Sequence, residues 1–488
     1  MSSAAGHPDG NLATRLAAVL STCGAAAEIG DLVRLSGGAS RQTWRFTARI
    51  QGVARTLVLR RDPPGAPRSG VHLEGALLTA AARHRVPVPE VVAASDDPAL
   101  LGSPFVIMAY VEGETIPRRI LRDEQLAGAR AALTGQCARA VAAIHRIPPE
   151  EVPGLPEGDP LEAVGTLLWR GAQPHPAFEL ALRWLAEHRP APSGRVVVHG
   201  DFRNGNLIVG PDGLRAVLDW ELAHVGDPLE DLGWLCVKAW RFGAPKAVGG
   251  FGTVAELVAA YQAAAGRTID GDALHWWEVL GTLRWGVICI VQALTHTTGA
   301  VPSVELAAVG RRVCEVEWDL LELLHPLATG GGLGDGRHAD AADDQRTGAG
   351  RPGAAGGFSD VPHDLPGAAE LLRAVGGFLT EEVMPATEGR TRFLSRVAAN
   401  VVAMVARQLE LGAAQRAAHG ARLAALGVAD EAELAAAIRG GRLDDRYREV
   451  VAAVRATVAD KLAVANPGHL TGSDRPAVAN PGHLTGGA

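Results

Sequence analysis

VVVHGDFRNGNLIVGPDGLRAVLDW, residues 196–220, decides how the rest of the chain is read. The apolar, β-branched runs 196–198, 207–209 and 214–218 suit short strands, and Pro211-Asp212-Gly213 suits the turn between the last two. His199, Asp201, Asn206 and Asp219 therefore fall where strands stop, in loops held by a rigid scaffold. A carboxylate two residues after a histidine, an amide five residues further on and a second carboxylate after a hairpin supply one base and two oxygen ligands. Mg²⁺ takes few protein oxygens and completes its shell with phosphate and water. A lone acid after a strand is ordinarily a turn residue or a helix cap. Here four polar groups stand at these offsets with the strands between them, and the motif has its context.

The run His199-Gly200-Asp201 through Asn206, then a strand and Asp219, resembles the aminoglycoside phosphotransferase and choline kinase family, distant relatives of the protein kinases. The resemblance implies an α+β, two-lobed protein-kinase-like fold that uses ATP and Mg²⁺. It makes Asp201, with His199 beside it, the catalytic group, and Asn206 and Asp219 the magnesium ligands. Asp231 is similar to a family acid that supports the catalytic loop.

Upstream, the pattern reads strand, Ser36-Gly37-Gly38-Ala39-Ser40 turn, strand, strand. Glycines let a backbone approach phosphate oxygens. A Gly-Gly-x-Ser turn is more often a plain hairpin connection, and its position resembling the family's nucleotide loop is what makes Gly37, Gly38 and Ser40 phosphate candidates. Kinase-like enzymes place a cation on the third strand. The only lysines are Lys238, Lys246 and Lys461, so Arg60 is the choice here, with Arg61 in reserve. Residues 71–83 read as a helix carrying Glu74, a candidate partner for Arg60, although a lone glutamate is as readily a solvated one. Residues 104–113 resemble the hinge, with Met108 and Tyr110 set against adenine.

At 488 residues and 47% apolar composition, the chain has room for two or three domains. A net charge of -7 argues against a nucleic-acid or anionic-membrane surface. The five scattered cysteines carry no CxxC pair and read as reduced core residues. The first ten residues lack the basic start and apolar stretch of a signal peptide, and no run approaches the roughly 20 apolar residues of a membrane span. A cytoplasmic protein is expected.

The expected organisation is an N-lobe over 1–111, a C-lobe with the acceptor pocket over 112–327, and a Gly, Ala and Asp-rich flexible linker over 328–363. A separate all-α bundle follows over 364–465, then a flexible tail over 466–488 in which AVANPGHLTG recurs. The bundle resembles an uncharacterised helical domain found beside or fused to such kinases, and it is a candidate surface for a protein partner or self-association. The expected reaction is phosphoryl transfer from ATP to a small-molecule hydroxyl. Leu59-Arg60-Arg61 followed by Pro63-Pro64-Gly65 resembles kinase-like domains attached to acyl-CoA dehydrogenases, which points to a hydroxyacyl or related acceptor. Alternatives are a nucleotide-binding pseudokinase or adaptor, favoured by the absent lysine, and an aminoglycoside O-phosphotransferase. The latter needs an acid-rich pocket, and acids exceed bases only slightly over 241–326.

Overall fold

The computed structural model describes residues 11–21, 26–35, 41–62, 71–171, 173–326 and 366–470. The N-lobe runs α1 (Leu12–Ser21), β1 (Ala27–Leu35), β2 (Gln42–Ile50), β3 (Val53–Arg61), α2 (Val71–Arg83), β4 (Val91–Ser95), α3 (Pro98–Leu101) and β5 (Phe105–Ala109). Its strands form one antiparallel sheet in the order β1-β2-β3-β5-β4. Successive side chains on a strand face opposite ways, and the two sheet faces are filled accordingly. Leu57 and Leu59 join Leu12, Leu16 and Leu20 of α1 in one core. Val58, Val106 and Met108 face the other way, into the core that includes Leu77 and Leu78 of α2.

The C-lobe comprises α4 (Pro117–Arg122), α5 (Ala127–Ile144), α6 (Pro160–Trp169), α7 (Pro176–Glu187), β6 (Val196–Val198), β7 (Leu207–Gly210), β8 (Gly213–Val217), β9 (His224–Gly226), α8 (Leu229–Cys236), α9 (Val254–Ala265), α10 (Gly271–Thr297), α11 (Val304–Gly310) and α12 (Val313–Leu324). β7 and β8 make the expected hairpin, and β6 pairs with β9, a strand too short and polar to stand out in the sequence. Helices α5, α8, α9 and α10 enclose these strands through Cys137, Val141, Leu232, Leu235, Tyr261, Trp276 and Leu280. The four cysteines among the described residues are free and buried, and burial pushes the Cys137 and Cys289 thiols up to about 12.

The remaining helices are α13 (Ala368–Phe378), α14 (Gly389–Leu426), α15 (Glu431–Arg439) and α16 (Tyr447–Ala465). They dock on the C-lobe. Leu434 and Ile438 of α15 and Val450, Val454, Val458 and Leu462 of α16 share an apolar cluster with Ala177 and Leu180 of α7 and Cys314 and Leu321 of α12. Burying each large aliphatic side chain is worth about 1.5–3 kcal/mol. Ion pairs join the same surfaces: Arg183 with Asp444, Arg439 with Glu179, Arg455 with Glu322, and Lys461 with Glu317 at 3.5 Å. A cavity of about 840 Å³ remains between α10–α12 and α14/α16.

Two sequence expectations need correction. The first copy of the repeated decapeptide is not a free tail over its described part: Asn466 and His469 are buried, with Asn466 Nδ2 donating to Glu315 at 3.1 Å and His469 Nε2 2.8 Å from Asp319. Buried acids recruited these residues, a long-range effect invisible in composition. Also, two helical stretches, Gly271–Thr297 and Gly389–Arg439, are long and apolar enough by length and composition to cross a bilayer. The first has half of its apolar window buried inside the protein, where Trp276, Trp277, Leu280 and Leu283 belong to the C-lobe core. The expected linker and the rest of the tail lie outside the described residues.

Candidate active site

The loop after β6 is built by its own backbone groups. Asp231, fully buried at the start of α8, accepts the backbone N–H of His199 at 2.9 Å and of Gly200 at 3.0 Å. His145 Nε2 lies 3.2 Å from the same carboxylate, and Tyr261 stands 2.8 Å from the other ring nitrogen. Gly200 has φ +76°, and a Cβ there would meet the Leu222 carbonyl oxygen, so the turn needs glycine.

His199 is completely buried. Its Nδ1 accepts the Asp201 backbone N–H at 3.2 Å, which places the proton on Nε2, and Nε2 donates to the Leu218 carbonyl at 3.1 Å. Burial pushes its pKa down against the attraction of Asp231, Asp201 and Asp219, so the ring is neutral. With both nitrogens engaged and no exposure, His199 positions the loop on either side of it; this corrects the catalytic role expected from the motif.

Asp201 sits at the lip. Its Oδ1 accepts from Arg203 Nε at 2.7 Å and Trp234 Nε1 at 2.9 Å, and its Oδ2 from Asn206 Nδ2 at 2.6 Å. A carboxylate has about four acceptor positions. Among the described residues no side chain takes the remaining one, on Oδ2, which can therefore meet a hydroxyl. Asn206 directs its amide nitrogen to the Asp201 carbonyl and carboxylate, which leaves its carbonyl oxygen as the group for a cation. The Leu218 N–H binds the Asn206 backbone oxygen at 2.8 Å and brings β8 and Asp219 alongside.

Asp219 adopts φ +67°, a left-handed conformation unusual for a residue with a side chain and typical of strained functional positions. Burial works to raise its pKa, but Arg60 outweighs it and holds the carboxyl below its ordinary value. Arg60 Nη2 lies 3.1 Å from Asp219 Oδ1, and Arg60 Nη1 pairs with Glu74. Glu74, buried in α2, also pairs with Arg41. Period-two alternation separates Arg60 from its reserve: Arg61 is buried on the α1 side, donating to Gln42 at 2.9 Å and to the Leu101 carbonyl at 2.9 Å.

Gly37, Gly38 and Ser40 lie outside the described residues. Met108 is 5% exposed, its side chain in the core. Tyr110 is 41% exposed, and its N–H already donates to the Thr56 carbonyl at 3.0 Å, so its ring and carbonyl are what it can offer a nucleotide. Three groups had been passed over: Arg41, Arg203 and Trp234. Arg203 lies inside the motif itself and Arg41 directly follows the glycine turn, so adjacency was the available signal. Trp234 had none.

One carboxylate, one amide oxygen and hard-cation chemistry fit magnesium, a metal that leaves most of its shell to phosphate and water. Among the described residues no group of three or more His, Cys, Asp or Glu side chains is placed to hold a metal by itself. An antiparallel sheet with a helix packed on each face, a helical lobe, and an acid-amide-acid loop between them define a kinase-like phosphotransferase.

Residues 31–277 match the phosphotransferase enzyme family, and the chain belongs to it. Residues 385–469 match a domain of unknown function (DUF6285). Acyl-CoA dehydrogenase family member 10 of Mus musculus is 32% identical over 225 residues, 42% of this chain and 20% of that protein. Family member 11 of Pongo abelii is 31% identical over 201 residues, 38% of this chain and 25% of that protein. The matched region thus spans a quarter or less of these relatives. A solved putative aminoglycoside phosphotransferase from Ralstonia eutropha superposes with a TM-score of 0.50 at 25% identity, covering 63% of this chain and 97% of that one.

Proposed function

We propose that the protein transfers the γ-phosphoryl group of ATP, with Mg²⁺, to a hydroxyl of a small metabolite. The observation that carries this reading is Asp201: three of its acceptor positions are taken by Arg203, Trp234 and Asn206, and no other side chain among the described residues takes the fourth. Asp201 would receive the acceptor's hydroxyl proton while holding the oxygen in line. Arg60, fixed between Glu74 and Asp219, would bind the α- and β-phosphates as a planar fork. Asn206 and Asp219 would hold the magnesium ion, which when bound supplies charge neutralisation on the phosphate oxygens. The relatives' names, acyl-CoA dehydrogenase family members, support a hydroxyacyl or related acceptor.

The test is ADP release and phosphorylated product from Mg-ATP with a panel of hydroxylated metabolites. The reading expects acceptor-dependent turnover that Asp201→Asn lowers roughly 10²- to 10⁴-fold. ATP that is bound and never consumed with any acceptor would instead mark a nucleotide-binding adaptor.

A further inference from the structure

Helix α14 changes character along its length. Phe393, Val397, Val401 and Met404 recur at the three- and four-residue spacing that keeps side chains on one helix face, and they pack with Val304 and Ala308 of α11. The same spacing continues through Gln408, Gly412, Gln415, His419 and Arg422, and there the packing opens into the cavity of about 840 Å³. On the C-lobe side its lining includes Ile290, Ala293 and Leu294 of α10, Ala307 of α11 and Val313 of α12. One wall is thus rich in charged and amide groups and the other in aliphatic ones. Two such walls are poor partners for each other, because polar groups lose water against aliphatic carbon without regaining hydrogen bonds. Domain interiors are otherwise close-packed, and ligand pockets run to roughly 300–1,000 Å³.

The charges on the lining are unevenly matched. Its three carboxylates are all engaged: Glu317 by His175 at 3.0 Å and Lys461 at 3.5 Å, Glu431 by Lys461 at 3.5 Å, and Asp460 by Arg422 at 2.5 Å. Arg311 and Arg416, also on the lining, form no ion pair among the described residues. Arg311 Nη2 donates only to the neutral amide oxygen of Gln408, at 2.7 Å. Arg416 folds back over Gly412, where a Cβ would meet its Nη1 at 3.3 Å. Gln408 and Gly412 are one helical turn apart, roughly 6 Å along the axis, so the two guanidinium groups stand on the same stretch of wall. Nearby acids are turned elsewhere. Glu410 pairs with Arg373 at 2.6 Å, and Glu305, which is not on the lining, with Arg390 at 3.8 Å. Guanidinium forks match carboxylate and phosphate oxygens.

We propose that this cavity binds a small amphipathic organic anion, its apolar part against α10–α12 and its carboxylate or phosphate held by Arg311 and Arg416. The C-lobe supplies one guanidinium and the helical domain the other, so the ligand bridges them and strengthens their docking. None of Arg60, Asp201, Asn206 and Asp219 is on the lining. The site is therefore separate from the nucleotide cleft, and its occupation requires neither nucleotide nor magnesium.

The test titrates the full chain calorimetrically, without nucleotide or magnesium, with hexanoate, with hexyl phosphate and, as the neutral counterpart of equal chain length, with hexanol. One or both anions bind more tightly than hexanol, and which anion binds separates carboxylate from phosphate recognition. Arg311→Gln and Arg416→Gln, both at exposed positions, each weaken the bound anion roughly tenfold or more. Arg448→Gln, exposed on α16 and off the lining, leaves the affinity unchanged. Thermal unfolding of each variant without ligand shows that it is folded. Failure of both anions to bind, hexanol binding as tightly as the anions, unchanged affinity in either lining variant, or an equal loss in Arg448→Gln overturns the proposal.

Discussion

The catalytic loop and the seam between the C-lobe and the helical domain are both dense in polar contacts, yet they are built on different principles. In the loop, Asp201, His199, Asn206 and Asp231 meet within one stretch of about thirty residues, through directional bonds to backbone N–H groups and one another. Across the seam, Glu317 with Lys461, Asp319 with His469 and Glu315 with Asn466 join positions 144, 150 and 151 residues apart. The loop fixes the geometry of groups that act. The seam fixes two lobes in register, with buried acids that take partners from both sides: Glu317 from His175 and Lys461, Asp319 from Lys238 and His469, Glu315 from Arg312 and Asn466.

Separate readouts should expose the difference. The largest effect belongs to the loop: Asp231→Asn removes the charge that holds two backbone N–H groups, and we expect turnover to fall roughly 10²-fold or more through misplacement of Asp201. Circular dichroism and kinetics on the same sample check it, and unchanged turnover would sever the loop from Asp231. Next comes the seam. Ala substitution of Lys461 leaves the buried Glu317 carboxylate with His175 as its remaining partner and should cost about 1–3 kcal/mol in denaturant unfolding, with the helical domain released first. A loss below about 1 kcal/mol would mean that the apolar cluster alone holds the seam.

The pH response should differ in sign between buried Glu317 and half-buried Glu278. Burial opposes ionisation of Glu317, but Lys461 and His175 prevail and its folded pKa lies below the ordinary value. Its contribution is present above the ordinary carboxylate range and is lost as pH falls through the depressed folded value, so acid should loosen the seam. Glu278, beside Arg241, is pushed by burial up to about 7. Its contribution is complete below about 4.5 and is lost as pH rises through about 7. Glu278→Gln should flatten the stability profile in that window, the smallest of these effects, and thermal unfolding at stepped pH reads it.

This contrast also explains what could be seen in advance. The strands around His199 and Asp219, helix 71–83 with Glu74, and the helical character of the C-terminal region follow from period, turn chemistry and spacing, all local properties. Choosing Arg60 over Arg61 needed to know which sheet face looks at α2, and Glu74's second partner Arg41 needed the sheet closed over it. The retention of Asn466 and His469 by Glu315 and Asp319 had no local signal at all. Nor had Trp234, whose indole reaches Asp201 from α8. Tertiary contacts decided those cases.

The central claim is that Asp219, with Asn206, holds the metal that brings nucleotide to the cleft. Calorimetric titration of Mg-AMP-PNP into the wild type and Asp219→Ala tests it most directly. The account predicts binding to the wild type that requires magnesium, and loss of that binding in Asp219→Ala while the thermal transition stays in place. Equal, magnesium-dependent affinity in the variant would contradict it.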